Sequence, residues 1–311
     1  MGGSTLGVPA RGLRRLLGAG LVVLLAGACS VRQIAVDALG EAMSGGGSAY
    51  ESDADVALIG DALPFSLKLL DSLIAESPAH RGLLLAGSRA YLVYAYGFVG
   101  FEADRLARVD VDRSNAARAR AHALSMRAFG YATRGLETRH RGLGARLAAD
   151  PAGSVQVVDD ARDVDLLHAA AASLALAIGN AKRDASMLAR LPEVDALLAR
   201  ALALDEAWNE GALHELAVTW RAARPGAFER VPVDAHFARA LVLSRGTRAA
   251  LFVAYAEAVA VREQDRHLFE SLVGRALAVD IEARPNERLQ NALAQRRALW
   301  LAGLADRLFA E

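Results

Sequence analysis

From about residue 61 onward, apolar and polar positions recur with the three-to-four residue period of amphipathic helices, while alternation at period two is almost absent. The spacing predicts helices over 63–76, stopped by Ser77-Pro78, and over 80–101. Further helices fit 113–139, 164–180, 193–204, 210–221, 235–244, 248–262, 268–279 and 286–309. The longest β-like stretch is 155–158, and Asp150-Pro151-Ala152-Gly153 marks an insertion between helices. Upstream, 31–43 reads as a first helix. Ser44-Gly45-Gly46-Gly47-Ser48 then reads as a turn, with no lysine behind the glycines to make a phosphate loop. The chain is therefore expected to be all-α.

Three helical segments repeat one another: Ala199-Arg200-Ala201-Leu202-Ala203-Leu204, Ala238-Arg239-Ala240-Leu241-Val242-Leu243 and Gly274-Arg275-Ala276-Leu277-Ala278-Val279, at offsets of 39 and 36 residues. Each has a bulky residue three positions before its shared alanine: Leu198, Phe237 and Val273. Small residues that allow close helix crossing, alternating with bulky ones that fill the groove beside them, predict degenerate tetratricopeptide-like helical hairpins. Stacked hairpins form an α-solenoid, expected here over 61–311.

The N-terminus has a different pattern. Arg11, Arg14 and Arg15 precede an apolar run from Leu16 to Leu25, and small residues lead to Cys29, the only cysteine. The order is that of a lipoprotein signal, and the 13 residues from Leu16 to Ala28 fall short of the about 20 that span a bilayer. Residues 1–28 are expected to be removed. Residues 29–60 would then form a lipidated N-terminus with the first helix and the glycine-rich turn, holding the protein in the cell envelope facing the periplasm. Ser30 after the cysteine, where aspartate would favour inner-membrane retention, leans toward the outer membrane.

Composition narrows the function classes. Beyond residue 28 the chain carries 33 basic against 36 acidic residues, a balance that offers no footprint for nucleic acid. With one cysteine, no internal disulfide and no thiolate zinc site can form. His214-Glu215-Leu216-Ala217-Val218 begins like a metalloprotease helix, but valine replaces the second histidine, so neither a metal nor another cofactor is expected. Asp159, Asp160, Asp163 and Asp165 are explained by the helix start they precede rather than by calcium. No Gly-x-Ser-x-Gly elbow is present, and an enzyme reading has no anchor.

Tyr91, Tyr94, Phe98 and Phe101 fall along one helix face, with Tyr96 pointing elsewhere. Such a face is either core or the lining of a ligand cavity, where tyrosine hydroxyls supply the few polar contacts. The candidate ligand-binding residues are Tyr91, Tyr94, Tyr96, Phe98, His214 and Glu215.

Longer blocks carry a resemblance. Asp61-Ala62-Leu63-Pro64-Phe65 runs on to Ser77-Pro78-Ala79-His80-Arg81-Gly82-Leu83-Leu84-Leu85. Tyr94-Ala95-Tyr96, Arg134-Gly135-Leu136-Glu137-Thr138-Arg139-His140 and Gly211-Ala212-Leu213-His214-Glu215 follow. With the lipoprotein signal and the repeats, the chain resembles the TatT family, tetratricopeptide-repeat lipoproteins associated with tripartite ATP-independent periplasmic (TRAP) transporters. The resemblance implies a non-enzymatic component, a homotrimer, that engages the TRAP periplasmic substrate-binding protein. It also implies a cavity or pore for a small hydrophobic or organic-acid molecule. The alternative is a repeat scaffold that organises envelope protein complexes and takes no small ligand.

Overall fold

The computed structural model describes residue 2 and residues 50–309, apart from 225 and 227. Cys29, the expected helix over 31–43 and the glycine-rich turn lie outside the described residues. Among the described residues every regular element is helical.

Helix α1 (Val56–Glu76) starts earlier than its apolar period and Pro64 suggest, because the Asp55 carboxylate accepts the N–H groups of Ala57 and Leu58, both at 3.0 Å. An interior proline costs about 3 kcal/mol. Ile59 and Leu63, buried against Leu289, Val93, Tyr94 and Phe98, offset it at roughly 1.5–3 kcal/mol each.

Helix α2 (Arg81–Val93) runs without a break into a π-helical stretch, Tyr94–Gly100, and then α3 (Phe101–Leu106). After α4 (Val111–Glu137), the expected insertion consists of α5 (Leu143–Ala149), α6 (Pro151–Ser154) and two short 3-10 turns. The β-like valines fall in the first of these, Val155–Val157, with Val155 and Val158 buried. Next come α7 (Val164–Asn180), α8 (Ala185–Leu188), α9 (Leu191–Leu204), α10 (Ala212–Ala223) and α11 (Arg230–Ser244). Helix α12 (Ala249–Tyr255) continues as a second π-helical stretch, Ala256–Ala260. The chain ends in α13 (Arg266–Leu277), α14 (Arg288–Ala302) and α15 (Ala305–Leu308), the last two separated where one helix over 286–309 was expected.

The first two repeated segments lie in α9 and α11 and the third spans the end of α13, and their shared alanines Ala201, Ala240 and Ala276 are completely buried. Behind them, α2, α7, α10, α12 and α14 pack each on the next, giving an all-α arrangement of paired helices compatible with a solenoid. Two large apolar cores run through it, one from Leu85 to Trp220 and one from Val218 to Phe309.

The stack closes on itself. Leu289 donates its N–H to the carbonyl of Glu51 (3.1 Å), Arg288 reaches the carbonyl of Ser52 (3.2 Å), and Arg296 donates to the carbonyl of Gly97. Leu289 and Leu293 enter the cluster of Ile59, Leu63, Tyr94 and Phe98. A Cβ on Gly97 would stand 3.0 Å from the Leu293 side chain, so glycine permits α14 to lie this close.

Candidate functional site

At the seam where α14 meets the first helices, α1 and α4 leave a groove of about 530 Å³ floored by the π-helical stretch. Its floor is Tyr94 and Phe98, stacked with ring centroids 5.8 Å apart, and its walls include Val56, Gly60, Ala116 and Ala117. A Cβ at Gly60 would stand 2.7 Å from Phe98, so this glycine admits the ring against α1.

Two guanidiniums enter the groove. Arg120 of α4 lies 5.5 Å from the centroid of Tyr94 and donates to its hydroxyl at 3.3 Å. Arg296 of α14 lies 5.2 Å from Phe98 and 4.6 Å from Phe101. Burial, aided by Arg105, pulls the Arg296 pKa below its usual value, so its charge is poorly compensated.

A second polar face lies on the inner helices. Tyr96 is half exposed, yet Arg297, Glu257, Glu215 and Asp104, from α14, the second π-helical stretch, α10 and α3, all act on its hydroxyl. Desolvation, opposed by Arg297 and aided by the three carboxylates, raises its pKa. Arg297 holds Glu257 through two bonds of 2.8 Å and Asp104 at 2.9 Å. Arg248, nearly buried, binds Glu215 (2.9 Å) and Glu287 (3.0 Å). His168 packs on Trp208 with centroids 4.8 Å apart, and burial, reinforced by Arg89 and Arg248, lowers its pKa to about 3.

The structure thus separates the expected ligand-binding residues. Tyr94 and Phe98 share the groove, while Tyr96 and Glu215 belong to the inner face. Tyr91 is only 1% exposed and lies in the core, where its hydroxyl donates to Asp71 (2.9 Å). Phe101 leaves that face to meet Trp300 edge-on at 5.7 Å. His214 is buried, and its Nδ1 lies 2.9 Å from Nδ1 of His236. Arg120 and Arg296 escaped the sequence reading, because no local pattern brings α14 onto α1 and the π-helical stretch. Among the described residues no group of three or more His, Cys, Asp or Glu is placed to hold a metal ion.

A model of the TRAP transporter T-component family matches residues 52–309, which is nearly the whole described chain. The chain belongs to the TRAP transporter T-component family. An uncharacterized protein of Treponema pallidum (strain Nichols) is 30% identical over 302 residues, covering 89% of this chain and 92% of that protein. Membership associates this T-component with the TRAP system and with the cell envelope. Among the described residues, no helix is long and apolar enough to cross a membrane.

Proposed function

We propose that this T-component is a binding subunit rather than an enzyme: it engages the TRAP periplasmic substrate-binding protein and holds a small molecule in the seam groove. The carrying observation is the family match over 52–309, supported by a groove whose size falls within the ~300–1,000 Å³ of small-molecule sites. Tyr94 and Phe98 supply its apolar floor.

In this reading Cys29 carries the lipid anchor, the repeats face the periplasm, and the assembly is a homotrimer. Affinity capture from the detergent-solubilised envelope with a tagged T-component tests the partner. Recovery of a TRAP substrate-binding protein supports the reading, and a capture free of it contradicts the reading. Cys29→Ala should shift the protein from the membrane fraction to the soluble one without changing its thermal unfolding, and continued membrane retention would remove the anchor.

A further inference from the structure

Leu58, Phe65 and Leu69 of α1 are 57%, 73% and 41% exposed, and none belongs to an apolar core among the described residues. With Ala62 between them they stand at spacings of four, three and four residues, which places all four on one stripe of the helix. The seam groove lies elsewhere on α1, bordered by Val56, Ala57, Gly60 and Asp61. A continuous apolar stripe of this kind marks an interaction surface.

The chain enters α1 at the edge of this stripe. Tyr50 shares a hydrogen bond with the Ser66 hydroxyl, and Ser66 neighbours Ala62 and Leu69 on the helix surface, four residues before it and three after. Leu289 and Arg288 bind the carbonyls of Glu51 and Ser52, so residues 50–52 are fixed beside α1. The linking residues 44–49 reach at most about 20 Å. The stripe runs roughly 12 Å from Ser66 to Leu58 and less to Leu69, at the helical rise of about 1.5 Å per residue. The segment before the glycine-rich turn therefore reaches all of it.

That segment, 31–43, carries the matching pattern. Val31, Ala35, Ala38 and Ala42 repeat the spacings of four, three and four, with Ile34 and Leu39 beside them, while Gln33, Asp37 and Glu41 fall outside that face. Its alanines suit the bulky Leu58, Phe65 and Leu69, since small residues facing large ones interdigitate. As a helix it is about 20 Å long, enough for the roughly 17 Å between Leu58 and Leu69. Other coverings fit less well. A lipid surface favours a helix with a polar face rich in Lys and Arg, whereas here Asp61 is exposed and Lys68 already pairs with Asp71 at 2.6 Å. A second copy needs about 800 Å² per partner for a stable interface, more than three side chains supply.

We propose that residues 31–43 form a helix that docks on the Leu58, Phe65 and Leu69 stripe of α1, completing a helical hairpin through the glycine-rich turn. The docking is independent of the ligand and the partner protein proposed above. Where Cys29 carries the anchor, Ser30 alone separates it from the docked helix, so the folded body stands against the membrane instead of hanging from a long linker.

Photo-crosslinking tests it. A benzophenone amino acid in place of Phe65 in the full chain, irradiated in the envelope and mapped by mass spectrometry, should link to 31–43 in a product of monomer mass. Hydrogen exchange on the detergent-solubilised protein gives a second readout. Amides 35–43 should exchange about tenfold or more slowly than in an unstructured peptide. Phe65→Asp combined with Leu69→Asp should abolish that protection and leave exchange in α2 and α4 unchanged.

Links to lipid, to a second copy or to another protein without links to 31–43 overturn the proposal and name the true covering. No links at all also overturn it, as do unprotected 35–43 amides in the wild-type chain or protection that survives the double change. Capture of the binding protein bears only on the function proposed above, so the two readings fail separately.

Discussion

Asp163 is completely buried, and three cationic or protonatable groups close on it: Arg81 at 2.9 Å, Arg139 at 3.1 Å and His140 at 2.8 Å. The acidic run before α7 was expected to serve the helix start. Asp165 stands in its first turn and accepts the Leu166 N–H at 2.7 Å, and Asp160 caps the 3-10 turn before it by accepting the Arg162 N–H at 2.8 Å, while Asp163 ties the insertion to α2 and to the turn after α4. Removing one partner of a buried ionic group strands the others, so Asp163→Ala should cost about 3–5 kcal/mol, read as a lower urea midpoint at unchanged slope. The His214–His236 pair gives a pH prediction. Burial, then His214 and Arg221, lowers the His236 pKa to about 4 from 6.5, and burial lowers that of His214, with Glu206 opposing and Arg239 adding to the shift. The unfolded chain therefore takes up protons first, and this part of the stability, complete above about pH 6.5, is lost as pH falls toward 4. His236→Gln should flatten the fall in urea midpoint between neutral pH and about pH 5, and an unchanged slope would show that the pair does not titrate this way.

Helix period was legible because each helix buries one stripe, and α7 was expected over the residues it occupies. Other boundaries depended on tertiary contacts. The start of α1 is capped locally by Asp55, but the burial that carries the helix through Pro64 comes from Leu289, more than two hundred residues away, and no window of local sequence contains that partner. The two π-helical stretches were also invisible, since apolar spacing does not distinguish an occasional wider turn from an α-helical one. Their consequence is local: Tyr94–Gly100 places Tyr94 and Phe98 in the groove and Gly97 against α14. Gly97→Val should overpack that contact and cost about 1–3 kcal/mol, measurable by thermal or urea unfolding, whereas Gly130→Ala, with open space around its Cβ, should be nearly neutral.

At the scale of the molecule, closure makes the groove and the inner face. Arg297 links α14 to the second π-helical stretch and to α3, and its side chain is 16% exposed. Arg297→Ala should cost about 2 kcal/mol and raise amide exchange in both 94–106 and 288–302 together, while faster exchange confined to one strip would refute a shared seam. The repeats led to the expectation of stacked helix pairs, with which the arrangement is compatible, and their shared alanines are buried. Closure was not foretold, because it depends on the two ends meeting rather than on any repeat. The aromatic face was legible as a spacing, but its division between core, groove and inner face required the π-helical turn. Function came from longer matching blocks, which neither the helical period nor the charge balance could supply. The proposed role of this T-component turns on contact with its transporter's periplasmic binding protein. Crosslinking in the intact envelope, followed by mass spectrometry of linked peptides, tests it most directly. Links between this chain and a TRAP substrate-binding protein are expected; links only to envelope-assembly proteins, or none to any TRAP component, would contradict that contact.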